Sequence, residues 1–339
     1  MLTDFLDSVR SFALSRVLMT AIELDVFRQL DERPLSKADL RKRTGIKEGP
    51  ISDAFIDVLV AFKILNGNGD KLELSETGRS ILPAYESIRS WAREMQLFYD
   101  SLCDLTGLVK SGDYKDSILS DYWIYKKSRD PKKLQASEVN DYSSLMDASQ
   151  MQLSHAIMDH HDFSGYAHII DFGGGYGRLA IALAEKYPGL RITIADLPAV
   201  CEKTRALVDA EGLGGRIDLL PVDFFRDPLP VGVADAIVFV RVLHDWDGDE
   251  TANLLAKTRS CLCKDGTALV IEPMNDDSEQ PTRSSALTSL MITLFGGKRR
   301  SMQEYAAFLR SVGYTDLSWS DCGLSLYRIV AARSRADSV

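Results

Sequence analysis

Residues 168–183 read HIIDFGGGYGRLAIAL. An apolar run closes on Asp171 and Phe172, four glycines fall within positions 173–177, and an apolar helical pattern resumes at Leu179. In a strand, glycine loop and helix of this kind the backbone can approach a ligand closely, and the first helical amides can meet an anionic group. Two kinds of cofactor use such loops, a dinucleotide and a sulfonium nucleoside. A dinucleotide fingerprint needs glycine at the first, third and sixth positions. Counted from Gly173, the sixth position is Arg178, so the fingerprint fails. What remains is Asp171, Gly173, Gly175 and Gly177 at alternate positions, with a carboxylate placed to meet a cationic amine. An amino-acid zwitterion attached to a nucleoside suits this loop better than a pyrophosphate does.

The flanking sequence agrees. Strands are expected near 168–172, 191–196, 217–222, 235–240 and 266–272 with helices between them, the alternation of a parallel sheet covered on both faces. Segments near 315–320 and 324–332 are expected to complete the sheet at an antiparallel edge. Asp196 in RITIADLP ends the second strand, where a carboxylate can take ribose hydroxyls. Asp223 in LLPVDFF follows the third strand beside the flat Phe224, where it could accept from an adenine amino group. Each acid alone reads more simply as a cap or loop residue. Three at successive strand ends, on the edge where open α/β sheets hold ligands, point to S-adenosylmethionine.

Residues 1–82 outline a winged helix. Val9, Phe12, Ala13, Val17 and Leu18 repeat at helical spacing, SKADLRKRTG is a capped short helix, and a second helix is expected over Gly49–Phe62. GNGDKLELSETG then gives a tight turn and alternation around Leu72 and Leu74. The helix that would enter a major groove carries Asp53 and Asp57, and the net charge is −9. Both oppose contact with phosphate, so no nucleic-acid partner is expected and packing against another chain is preferred. Residues 83–162 are mostly helical and dense in Trp91, Met95, Phe98, Tyr99, Tyr122, Trp123, Met146 and Met151. These read as helix core or as the roof of a pocket for a planar ligand.

The five cysteines are odd in number and scattered, as expected of reduced thiols. The amino terminus lacks a secretory pattern, and no stretch approaches the roughly 20 apolar residues of a membrane span, so a cytoplasmic location without a membrane partner is expected. His155 with Asp159, and the neighbours His160 and His161, fall short of a metal site.

Behind this winged-helix-like start, DFGGGYG, IADLPAV, PVDFF, VLHDWDGDE and GGKRRSMQEYAAFLRSVGY follow in order. With them the chain resembles the plant-type O-methyltransferase family over nearly its whole length, HDWD being the most specific piece. The resemblance implies a class I methyltransferase fold, α/β with a Rossmann-like sheet. It implies a dimerisation domain at 1–82, a helical connector and roof at 83–162, and a cofactor domain at 163–339, in a homodimer acting on a small aromatic or polyketide-like metabolite. Cofactor contacts are expected from Asp171, Gly173, Gly175, Gly177, Asp196, Leu197, Asp223, Phe224 and Arg241.

Methyl transfer is an in-line displacement in which the protein aligns the nucleophile, and a phenol is helped by a base. His244, beyond the fourth strand, reads alone as a structural histidine or as a base of suitable pKa. The resemblance makes it the base, with Asp245 and Glu272 orienting it. Met146, Met291 and Phe295 are candidates for the substrate pocket.

Two positions depart from the family: Arg299 stands where glutamate is usual, and Val240 where some members carry lysine. Pointing into the pocket, Arg299 would disfavour an imidazolium and favour an anionic acceptor. Turned to solvent beside Lys298 and Arg300, it would do neither. Methylation at carbon or nitrogen, cofactor-dependent chemistry without methyl transfer (hydroxylation, decarboxylation or rearrangement), and a non-enzymatic regulator built on the winged helix are the alternatives.

Overall fold

The computed structural model describes residues 2–121, 128, 130–275, 280–324 and 326–334. They divide into two compact units, Met1–Tyr99 and Asp100–Val339. In the first, α1 (Leu2–Glu23), α2 (Val26–Asp31), α3 (Lys37–Thr44), α4 (Pro50–Ala61), α5 (Glu76–Ser80) and most of α6 (Tyr85–Leu102) surround three short strands. These are β1 (Leu35–Ser36), β2 (Leu65–Asn68) and β3 (Lys71–Leu74), antiparallel in the order β1-β3-β2. Ser36 caps α3 by accepting from the Asp39 amide at 3.0 Å, and Gly45 in the left-handed region ends it. Leu72 and Leu74 alternate inward onto Leu40, Ile56 and Leu59, which gives the winged-helix outline its core. On α4, Asp53 pairs with Arg41 and Asp57 lies 3.9 Å from Lys37, so the acids of that helix are tied to α3. Met95 and Tyr99 pack on this core, whereas Trp91 is exposed. Tyr122 and Trp123 lie outside the described residues.

The second unit begins with α7 (Leu105–Ser111) and α8 (Ala136–His160), then alternates β4 (His168–Phe172), α9 (Arg178–Lys186), β5 (Arg191–Asp196), α10 (Pro198–Ala210) and β6 (Ile217–Pro221). It continues through β7 (Ala234–Val240), α11 (Gly248–Arg259), β8 (Leu262–Pro273), α12 (Arg283–Leu294), α13 (Met302–Ser311), β9 (Tyr314–Asp321) and β10 (Tyr327–Ser334). The sheet order is β6-β5-β4-β7-β8-β10-β9, with β10 antiparallel to both neighbours and the rest parallel. Alternate residues of each central strand enter opposite cores: Ile170, Phe172, Ile237 and Phe239 on one face, Ile169, Val238, Leu269 and Ile271 on the other. Burying a side chain of this size contributes about 1.5–3 kcal/mol, and a strand covered on both faces needs such an unbroken apolar run. β8 begins earlier than the alternation suggested, because Leu262 already pairs with Ala234 before the register shifts.

The chain runs outward from β4 to β5 and β6, then returns to place β7 beside β4. At that reversal neighbouring connections leave to opposite faces, and a crevice opens beyond the carboxyl ends of the strands. Among the described residues no helix is long and apolar enough to cross a membrane, and no three His, Cys, Asp or Glu side chains are grouped to hold a metal.

Candidate active site

A cavity of about 390 Å³ lies at this edge, lined by Asp171, Gly173, Gly175, Asp196, Leu197, Asp223, Phe224, Arg241, Met146 and Asp245. Two glycines hold it open. A Cβ on Gly173 (φ 71°) would lie 2.7 Å from Val242, and one on Gly174 would lie 2.6 Å from the Asp171 carboxylate. Gly177 caps α9 at φ 83° and does not line the cavity.

Asp171 is only 4% exposed, and among the described residues no hydrogen bond reaches its carboxylate. Burial, with the nearby Asp196 adding to it, pushes its pKa up to about 7. Asp196 is raised to about 6 by burial, although the Leu197 and Gly175 amides donate to it at 2.7 and 2.9 Å. A buried acid and a half-buried one on the same cavity form a site for positive charge. Asp223 is more occupied: it accepts from the Phe225 amide at 3.0 Å and from the Arg226 guanidinium at 3.1 Å, capping its own turn. Its oxygens retain lone pairs for a further donor. Beside it Phe224, Phe225 and Trp246 form an aromatic wall, the last two edge to face with centroids 4.4 Å apart.

The turn after β7 carries the histidine. Arg241 takes a left-handed φ of 56° and donates to the Met146 carbonyl at 2.8 Å. Glu272, fully buried on β8, accepts from the Val242 and Leu243 amides at 2.8 and 2.7 Å through Oε1. Its Oε2 lies 2.5 Å from His244 Nδ1, and Asp245 Oδ1 lies 3.2 Å from Nε2. Burial alone would lower the His244 pKa, but Asp245 and Glu272 overcome it and raise the pKa to about 9. His244 is not itself a lining residue; it borders the cavity through Asp245.

Arg299 does neither of the two things expected of it. It is 8% exposed and absent from the cavity, and it donates to the carbonyls of Met274 and Ser285 and to the Ser289 hydroxyl. Once buried, a guanidinium must find acceptors, and the carbonyls at the end of β8 and the start of α12 supply them. Met291 and Phe295 are half-buried at the end of α12 and do not line this cavity. Sequence reading missed Tyr176, Trp246 and the Arg178–Asp147 ion pair, whose shortest contact is 2.8 Å. Trp246 stood in HDWD and was open to notice. Asp147 had no signal beyond its adjacency to Met146.

Residues 124–315, more than half of the chain, match the O-methyltransferase domain. The chain belongs to the O-methyltransferase family. A 6-O-methyltransferase of mitomycin biosynthesis from Streptomyces lavendulae is 30% identical to this methyltransferase over 327 residues, 94% of this chain and 90% of the relative. An N,N-dimethyltransferase from Streptomyces rimosus is 27% identical over 317 residues, 92% and 90% of the two chains. The crystal structure of human N-acetylserotonin methyltransferase in complex with S-adenosylmethionine aligns with a TM-score of 0.81 at 25% identity, covering 99% of this chain and 98% of that one. The methyltransferase is therefore S-adenosylmethionine-dependent.

Proposed function

We propose that the methyltransferase methylates a hydroxyl of a small aromatic or polyketide-like metabolite, with His244 taking up the hydroxyl proton. The observation that carries this reading is the imidazole held 2.5 Å from the buried Glu272, beside a cavity that Asp245 lines. The donor supplies an electrophilic methyl carbon on sulfur. Asp171, buried and among the described residues without a hydrogen-bond partner, fits its ammonium group, and the amides that open α9 fit its carboxylate. Asp196 suits the ribose hydroxyls, with the Leu197 turn beside it, and the Phe224–Phe225–Trp246 wall suits the adenine. Arg241, by holding Met146, and Gly177, by opening α9, shape the site from its rim.

With the donor saturating, kcat/KM for the acceptor reports the enzyme before the acceptor binds, and a base with a pKa raised to about 9 is neutral only above that pH. The expected profile climbs about tenfold per pH unit and levels near pH 9. His244→Asn should remove that limb and lower kcat by about 10²–10⁴-fold. An unchanged limb in the variant would assign the titration to the acceptor and sink the base role.

The N,N-dimethyltransferase relative supports a second reading, nitrogen as acceptor. Product mass spectrometry with a labelled methyl donor, followed by acid lability, separates the two. A homodimer formed through the amino-terminal unit is also proposed. Its support is the exposed apolar surface of α1, where Leu2, Phe5, Val9 and Phe12 are each more than half exposed. Phe5→Asp with Phe12→Asp is expected to halve the sedimenting mass, and an unchanged mass would remove α1 from the interface.

A further inference from the structure

The turn bearing His244 and Asp245 is fastened from both sides. Glu272 takes its amides, and residues 298–300 take its carbonyls. The Lys298 amide donates to the His244 carbonyl at 2.7 Å. Arg300 is only 2% exposed; its Nη1 donates to the Leu243 carbonyl at 3.0 Å and its Nη2 to the Trp246 carbonyl at 2.6 Å. The guanidinium carbon sits 5.6 Å from the centre of the Phe308 ring. Burying a guanidinium costs several kcal/mol unless its donors are used. Here they bridge the two carbonyls that bracket the His-Asp pair, a span suited to a planar fork and poorly served by an ammonium. Arg299, one residue earlier, clasps different carbonyls, so the family's glutamate position is spent on β8 and α12 while its neighbour grips the turn.

We propose that Arg300 is a positioning residue for methyl transfer, holding the turn so that the His244 ring stays on Glu272 and faces the acceptor. The inference rests on His244 being the proton acceptor. The charged groups that act on the ring are Asp245 from the same turn, Glu272 from β8 and Arg241 from the end of β7. Loosening the turn separates the ring from Glu272, which lowers its basicity and misaligns it. Of the donor site it disturbs the Trp246 edge alone, while Asp171, Asp196 and the glycine loop make no contact with Arg300.

Arg300→Met and Arg300→Lys in the full chain test this through kcat, KM, the pH profile, donor affinity by calorimetry, and thermal melting. In Arg300→Met, kcat should fall about 30–300-fold with acceptor KM changed less than threefold and donor Kd weakened less than about fivefold, through Trp246 alone. The acid limb should move down by about one pH unit. Arg300→Lys, which keeps the charge but reaches one carbonyl, should fall between. A folded variant with wild-type kcat and limb overturns the proposal. So does a donor Kd weakened by the same factor as kcat, which marks a general collapse of the site. If Arg300→Met does not fold, Arg300→Lys decides by the same readouts. His244→Asn separates the premises: an unaltered limb there defeats the base role itself, whereas a lost limb with normal Arg300 variants defeats only the positioning role.

Discussion

Asp171→Asn is expected to weaken S-adenosylmethionine binding at least ~100-fold and, at the same time, to stabilise the donor-free protein at pH 8. The first effect follows from removing the buried carboxylate proposed to face the ammonium. The second follows from proton linkage. The folded-state pKa of about 7 lies above the ordinary 3.8, so folding favours the protonated acid. Its ionisation in the folded protein is opposed, and the resulting destabilisation grows as pH rises from about 4 to 7 and is constant above that. About three pKa units correspond to an upper bound of roughly 4 kcal/mol. Asparagine keeps the shape without the charge, and Tm at pH 8 should rise by roughly 5 °C, with little gain left near pH 4. Donor affinity of the wild type should peak between about pH 7, where Asp171 ionises, and about pH 8, where an α-amine loses its charge. A variant that binds the donor with wild-type Kd would remove Asp171 from the site.

Asp171 was legible because its position is fixed by periodicity: it follows Ile169 and Ile170 in a strand buried on both faces, directly before the loop. The same regularity made the parallel sheet and its ligand-bearing edge readable, since apolar runs alternating with helices are the pattern of a sheet covered on both faces. The strand order came only from the structure. The spacing of Gly173, Gly175 and Gly177 carried the choice of cofactor. Lys298, Arg299 and Arg300 had no such help. Three consecutive cations in a coil segment read as a solvated surface, yet Arg299 and Arg300 are buried among main-chain carbonyls. A coil has no period from which to derive side-chain direction, and the carbonyls that receive these groups lie 14 to 57 residues away in sequence. Arg178 and Asp147 are hidden for the same reason, 31 residues apart on different helices.

Glu272→Gln is expected to lower kcat by about 10³–10⁴-fold while donor affinity stays near wild type, because Glu272 does not line the cavity. The glutamate serves three donors: two amides through Oε1 and the His244 ring through Oε2. A glutamine has one oxygen and one NH₂ to offer them. With the oxygen on the amides, the NH₂ faces Nδ1, which must then accept. The neutral ring carries its proton on Nε2 instead, beside Asp245, and cannot take another from the acceptor. A comparable tautomer error in a serine protease costs ~10⁴ in kcat. With the glutamine reversed, the ring keeps its tautomer, but the Val242 and Leu243 amides face a donor inside the core, at about 1–3 kcal/mol for each unpaired group. That orientation spares more of kcat and appears instead as a lower Tm. The variant must lose rate, stability or both; wild-type values of each would mean that Glu272 neither orients His244 nor secures its turn.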